Sequence, residues 1–263
     1  MENKTAIVTG GSSGIGLETA KALAAAGCRV YVLCRRDFSH PGLTALRADV
    51  SDEGAVRDAV DAVLMEAGGV DILVNCAGFG ISGAVEFTEG ADARRQFDVN
   101  FFGMDNVTRA VLPQMRRAGG GRIVNVSSVA AVAAIPFQAY YSASKAAINA
   151  YTCALANEVA PYGVSVTAVM PGDIRTGFTD ARKKSADGDE AYGGRIAKSV
   201  AKMERDERGG MEPAAAGAYI ARTALRRRVK PLYAIGFSYR CACLLCDLLP
   251  CALRNRLIGL LYA

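Results

Sequence analysis

The feature that most constrains this chain is a regular alternation of short apolar runs with longer helical stretches. Residues 5–9, 29–34, 71–75, 122–126 and 164–169 are apolar and β-rich, and residues 15–26, 53–67, 91–117 and 141–160 lie between them. A strand that is apolar on both faces has to be covered on both faces. A parallel sheet with helices on each side provides that cover.

Short connections and right-handed crossovers then favour an α/β fold: a doubly wound, Rossmann-type parallel sheet flanked by helices. At 263 residues, with 51% hydrophobic and 22% charged residues, the chain can fill the core of one such domain, so disorder is not expected. No internal repeat or low-complexity linker interrupts it, and residues 1–263 are expected to form a single domain. A helix near 213–226 and a last strand near 231–235 should complete the sheet. Two segments stand outside the alternation. Residues 178–212 are rich in charge and glycine, and read either as a substrate lid or as a solvated excursion. Residues 237–262 form an apolar, arginine-bearing tail.

A net charge of +5, dispersed along the chain, suits an anionic phosphate ligand but is too small to indicate nucleic-acid binding. Lys4 and the turn from Gly10 arrive before a secretory apolar region could form, so a cytoplasmic setting is expected. The eight cysteines lack regular paired spacing and read as reduced thiols. Cys241, Cys243, Cys246 and Cys251 crowd the tail, but with His40 the sole histidine no metal site is expected.

The first apolar run leads into Thr9-Gly10-Gly11-Ser12-Ser13-Gly14-Ile15-Gly16, followed by a helix. Glycine lets the backbone turn tightly and approach a ligand, and a helix start offers free N–H groups to a pyrophosphate. The turn lacks the Gly-Lys-Ser/Thr ending of a phosphate-transferring loop, which counts against a kinase or ATPase. A ribose 2′-hydroxyl is usually met by an acid at the end of the second strand, and a 2′-phosphate by positive charge. Here that strand ends in Arg35 and Arg36, with Ser12 nearby, so NADP(H) is favoured over NAD(H). Asp37 could still turn back to a ribose, and both arginines could be ordinary solvated charges. Asp49 and Val50 follow the third strand and are placed to contact adenine.

Tyr141 and Lys145 stand four residues apart, on one face of a helix. A phenol titrating at about 10 is a poor base at neutral pH, and a neighbouring ammonium favours the phenolate. Such a tyrosine is a competent general acid and base. Tyr140, by contrast, has Ser144 four residues on. Ser128 ends the fourth apolar run, at the sheet edge where ligands bind, and can steady charge on a substrate oxygen. Ser127 is its local rival. No histidine base or Gly-x-Ser-x-Gly elbow supports a nucleophilic serine.

Thr9-Gly10-x-x-x-Gly14-Ile15-Gly16, Asp49-Val50, Asn75-Cys76-Ala77-Gly78, Asn100, Ser128, Tyr141-x-x-x-Lys145 and Pro171-Gly172, in this order, resemble the short-chain dehydrogenase/reductase family over roughly the first 180 residues. The resemblance implies that Tyr141 exchanges the proton of an alcohol or ketone and that Ser128 orients its oxygen. It implies that Lys145 tunes Tyr141 and holds the nicotinamide ribose, and that Asn100 seats the water of a proton relay. The cofactor would lie against Gly10, Ser12, Ser13, Gly14, Ile15, Gly16, Arg35, Arg36, Asp49, Val50, Asn75, Ala77, Gly78, Tyr141, Lys145, Pro171, Gly172, Ile174 and Thr176. Cys76 stands where the family has a second asparagine.

The leading expectation is an NADP(H)-dependent oxidoreductase acting on a hydroxysteroid or another hydrophobic lipid, because related members with a similar C-terminal extension do so. A 3-oxoacyl-thioester reductase is the second, with Lys183 and Lys184 greeting an acidic carrier. A non-catalytic NADP(H) sensor is the third, against which the intact Ser128–Tyr141–Lys145 set argues. The family also implies a homodimer or homotetramer. The tail reads as a pocket cover, a subunit contact, a peripheral membrane contact or an ordinary packing helix; its apolar runs are too short to span a bilayer, which takes about 20 residues.

Overall fold

The computed structural model describes residues 4–262. In chain order its elements are β1 (Thr5–Thr9), α1 (Gly14–Ala25), β2 (Arg29–Cys34), β3 (Leu43–Arg47), α2 (Glu53–Ala67), β4 (Ile72–Asn75), β5 (Ile81–Ser82), α3 (Gly90–Phe97), α4 (Gly103–Arg117), β6 (Gly121–Val126), α5 (Ala139–Val159), β7 (Val164–Met170), α6 (Phe178–Ala181), β8 (Lys183–Lys184), α7 (Arg195–Arg208), α8 (Pro213–Leu225), β9 (Leu232–Ala234), α9 (Phe237–Leu248) and α10 (Cys251–Tyr262). Seven strands form one sheet in the order β3-β2-β1-β4-β6-β7-β9, and every pairing in it is parallel. This is the doubly wound α/β sheet that the alternation implies.

Side chains from successive strand residues leave the sheet on opposite faces, and two cores follow from that. Ile7, Tyr31, Leu33, Leu73 and Ile123 pack with α2, α4 and α5 through Val60, Val107, Val111 and Leu155. Ala6, Val8, Val32, Val74 and Val124 face the other way, onto Leu23 of α1 and Ile220 of α8. Each fully buried aliphatic side chain contributes roughly 1.5–3 kcal/mol. Gly217 lets α8 press against α1: a Cβ there would lie 2.6 Å from the Glu18 backbone.

Local chemistry fixes the helix ends. Asp52 caps α2 by accepting from the Ala55 N–H at 3.0 Å, and the helix stops at Gly68 with φ +77°. Residues 91–117 depart from the expected single helix. α3 and α4 are separated by a widened π turn, Asp98–Phe102, which rotates Asn100 into the interior, where it is 1% exposed. Such turns insert one extra residue and re-aim a side chain, frequently at functional sites.

The chain leaves β1 toward one side of the sheet and reaches β4 from the other, so a crevice opens beyond the ends of these neighbouring strands. Residues 178–212 are more ordered than the sequence suggests. They hold α6, a two-residue strand β8 paired with β5, and the fourteen-residue helix α7.

Candidate active site

The crevice begins at the glycine turn. Gly10 and Gly14 have φ of +64° and +55°, the left-handed region that side chains avoid. A Cβ on Gly10 would meet Ala77 Cα at 2.8 Å, and one on Gly16 would meet the Gly10 carbonyl oxygen at 2.5 Å. Ser13 stands at the start of α1 without making a side-chain cap, and no acid occupies the first turn. The leading N–H groups of α1 are therefore left to an anion, with the positive end of the helix dipole behind them. Thr9 secures the turn: its hydroxyl accepts from the N–H groups of Cys76 and Ala77, each at 3.0 Å.

Arg35 and Arg36 are exposed at the end of β2. They are next to the turn, because the Gly10 N–H donates to the Leu33 carbonyl at 2.8 Å. Arg35 stands 3.9 Å from Asp49, a loose surface pair. Burial works against the Asp49 carboxylate, but the hydrogen bonds from Ser51 and the charge of Arg35 outweigh it and hold its pKa below the ordinary value. The Val50 carbonyl accepts from Asn106 of α4 at 3.0 Å.

Asn75 braces the sheet. Its Nδ2 donates to Asn125 Oδ1 at 3.0 Å and to the Thr108 hydroxyl at 3.1 Å, and Asn125 in turn donates to Thr152. Asn100 spends both amide protons, on the Phe79 carbonyl at 3.0 Å and on Ser144 Oγ at 3.2 Å, while its Oδ1 accepts from the Phe79 N–H. Gly78 lies between Asn100 and Lys145: a Cβ on it would be 3.1 Å from Asn100 Oδ1 and 3.7 Å from Lys145 Nζ.

Lys145 and Tyr141 both stand on α5. Lys145 is 6% exposed, and its ammonium donates to the Val126 carbonyl at 2.8 Å, keeping two protons for other acceptors. It lies 5.7 Å from the Tyr141 ring centroid. Burial lowers the Lys145 pKa to about 8, the nearby Cys76 thiol opposing this. Burial pushes the Tyr141 phenol up to about 12, and the Ser128 hydroxyl, which favours the phenolate, offsets only part of that. Desolvation thus shifts both groups toward their neutral forms.

The paired serines separate by environment. Ser127 is buried and donates to the Lys145 carbonyl at 3.0 Å. Ser128 is half-buried, its oxygen accepts from the Ala130 N–H at 3.1 Å, and its hydroxyl is close enough to the Tyr141 phenol to favour its ionised form.

The loop after β7 closes the other side. Thr176 lies against Gly14, 3.6 Å from where a Cβ would sit. Asp173 and Arg175 use their backbone to pair with Met211. The intervening Ile174 turns its own N–H and carbonyl the other way, into no backbone hydrogen bond among the described residues. Pro171 accepts from the Val129 N–H at 2.9 Å, tying this loop to the one carrying Ser128.

Several contributors were not legible as site residues. Phe178 places its ring 5.8 Å from that of Tyr141. Arg182, 4% exposed, stacks over Phe178 and pairs with Glu207 of α7, and Thr179 donates to Glu207 at 2.6 Å. Gln96 binds the Ile81 N–H at 3.0 Å and the Phe79 carbonyl. Tyr239 of α9 covers Gly172 and hydrogen-bonds Asp173. Lys183 and Lys184, expected to greet an acidic carrier, are paired with Asp92 and Glu204.

A family model described as short chain dehydrogenase matches residues 4–187. The chain belongs to the short-chain dehydrogenase family. It is 39% identical over 247 residues to a 3-ketodihydrosphingosine reductase of Bacteroides thetaiotaomicron, covering 90% of this chain and 92% of that one. A short-chain dehydrogenase of Streptomyces avermitilis superposes with a TM-score of 0.84 at 33% identity, over 98% of this chain and 96% of the other. A 3-ketoacyl-(acyl-carrier-protein) reductase of Brucella melitensis, complexed with NADH, superposes with a TM-score of 0.75 at 26% identity, over 89% and 97%. This short-chain dehydrogenase is an oxidoreductase of CH–OH and C=O groups that uses a nicotinamide cofactor. The uncapped helix start and the turn that a Cβ would fill fit the pyrophosphate of such a cofactor.

Proposed function

We propose that the protein is an NADP(H)-dependent reductase of a ketone on a long, hydrophobic lipid, run in reverse when the alcohol and oxidised cofactor prevail. The observation that carries this is the convergence of Ser128, Tyr141 and Lys145 beside the glycine turn. The 39% identity with a 3-ketodihydrosphingosine reductase over nearly the whole chain supports an aliphatic 3-keto lipid over a steroid. The ion pairs of Lys183 and Lys184 weigh against docking of an acidic carrier.

The cofactor, when bound, supplies the hydride. Ser128 donates its hydroxyl proton to the substrate oxygen and steadies the charge that develops there. Tyr141 donates the proton that completes the alcohol, and Lys145 stabilises the resulting phenolate with an ammonium. Asn100, fixed by Phe79 and Ser144, seats the water through which Tyr141 is reprotonated. Arg35 and Arg36 meet the 2′-phosphate, Ser12 and Ser13 the neighbouring phosphates, and Ile174 and Thr176 the nicotinamide side. Residues 178–212 act as the substrate lid, with Phe178 bordering the reacting carbon.

We also expect a homo-oligomer. Ala143, Ala146, Ala150 and Ala154 line one exposed face of α5, where a second copy can pack closely.

Oxidation of NADPH and NADH is to be followed against 3-ketodihydrosphingosine, a steroid ketone, acetoacetyl thioester and a short water-soluble ketone. Turnover of the sphingoid ketone with NADPH is the expected result. Turnover of the thioester alone would move the assignment to the acyl branch, and cofactor binding without any turnover would leave a sensor.

A further inference from the structure

The last two helices present an arrangement that packing inside the protein does not use. At about 100° per residue, Phe237, Cys241, Leu244, Leu245 and Leu248 fall within one stripe of α9, and all are exposed. The opposite face of α9 carries the half-buried Tyr239 and Cys246 and the buried Cys243, which seats α9 on Met170 and Ala234. This helix is apolar on both sides but covered on one. α10 repeats the pattern. Ile258 is buried and Tyr262 half-buried on its inner side, while Leu253, Leu257, Leu260 and Leu261 face solvent together. Phe237, Leu248 and Leu260 are 79%, 73% and 74% exposed. Leucines this open, in a stripe on each of two consecutive helices, are the kind of exposed apolar surface that marks an interaction site.

The charge around the patch identifies its occupant. Residues 237–262 hold three arginines, Arg240, Arg254 and Arg256, against the single acid Asp247. Among the described residues none of the three arginines has a carboxylate partner. Arg254 is used to close the hairpin, donating to the Cys246 carbonyl at 3.0 Å, and Arg240 and Arg256 are exposed. A symmetric protein partner would set this cationic rim against itself, whereas a bilayer with anionic headgroups neutralises it and takes up the leucines. Each helix has twelve residues, roughly 18 Å at 1.5 Å per residue. That is too short to cross a membrane but suited to lying in its interface.

We propose that α9 and α10 dock the protein on the surface of an anionic lipid bilayer, with their leucine stripes in the acyl boundary and Arg240 and Arg256 at the headgroups. The same hairpin touches the site. Tyr239 lies over Gly172 and bonds Asp173, and Tyr262 stands 5.1 Å from Lys202 on α7. The hairpin thus packs its inner face on residues 172–173 and on α7 while its leucine stripes face outward, so a docked protein would hold the lid region, where a lipid ketone is met, close to the bilayer. For this consequence alone the inference rests on the reading of the site as a lipid reductase.

Flotation of the full-length protein with phosphatidylcholine vesicles, with and without phosphatidylglycerol, tests the docking without any substrate. Wild type should float with the anionic vesicles, less at high salt and less with phosphatidylcholine alone. Leu248→Glu with Leu260→Glu should lower partitioning by roughly a hundredfold, about tenfold for each leucine lost from the acyl boundary. Arg240→Gln with Arg256→Gln should cost about fivefold per arginine, on anionic vesicles only. The leucine variant should keep its NADPH affinity and its turnover of a short water-soluble ketone, which shows that it is folded. The proposal is overturned if wild type does not float with anionic vesicles, or if the leucine variant floats as well as wild type. It is also overturned if vesicles capture neither protein and light scattering shows a wild-type oligomer that the leucine variant breaks, which makes the patch a self-interface. Flotation with no ketone turnover would leave the docking in place and remove the reductase reading.

Discussion

At the scale of single residues, burial sets the chemistry of the site. Lys145 loses its proton near pH 8 because the interior disfavours an ammonium, whereas the Tyr141 phenol keeps its proton to about 12. Reduction needs both groups protonated. As pH rises through about 8 the ammonium is lost first, so kcat/KM for ketone reduction should fall by about tenfold per pH unit above it. Lys145→Met should lower kcat/KM at neutral pH and abolish this limb of the pH profile. Arg36→Ala should raise the NADPH dissociation constant by roughly tenfold and leave that for NADH nearly unchanged, read by fluorescence titration. Equal losses for both cofactors would assign Arg36 no part in meeting the 2′-phosphate. The tyrosine–lysine spacing and a serine at the end of an apolar run could be picked out as candidates in the sequence, and Asn100 only through the family resemblance. Thr9, Gln96, Ser144 and Phe178 could not be assigned roles, because each gains its role from a partner that only the fold brings near.

Between elements, the buried chain Thr108–Asn75–Asn125–Thr152 joins α4, β4, β6 and α5. Asn75→Ala leaves the Thr108 hydroxyl and the Asn125 carbonyl each short of a partner, and should cost about 1–3 kcal/mol of stability by denaturant unfolding. Residues 178–212 have their own tie, in the pair of the buried Arg182 with the half-buried Glu207. Glu207→Gln should loosen α6 and with it Phe178, raising KM for a long-chain ketone several-fold more than it lowers kcat; an unchanged KM would separate the lid from substrate binding. Strand positions were legible because five apolar runs map onto β1, β2, β4, β6 and β7 within a residue or so. The break between α3 and α4 was not, since a π turn adds one residue without altering the apolar pattern on either side. Nor was α7. Its mean composition is charged, and only Ile196, Ser199 and Met203 turn inward, too few to mark a helix among the glycines that precede it.

Over the whole molecule, sheet order explains why residues far apart in sequence share one crevice. The turn after β1, the stretch after β4, the serines after β6 and the loop after β7 all lie at the same edge of a parallel sheet. The C-terminal hairpin reaches that edge through Tyr239. The tail's apolar character was plain from composition, but which of its faces packs and which stays open depends on the break at Pro250 and on the Cys243 and Ile258 contacts. Reduction depends above all on Tyr141 as the proton donor. The direct test is steady-state reduction of a long-chain 3-keto lipid with NADPH by wild type and Tyr141→Phe, with NADPH affinity measured in parallel. The expected result is a loss in kcat of at least about a hundredfold with NADPH binding retained; activity within a few-fold of wild type would contradict the account.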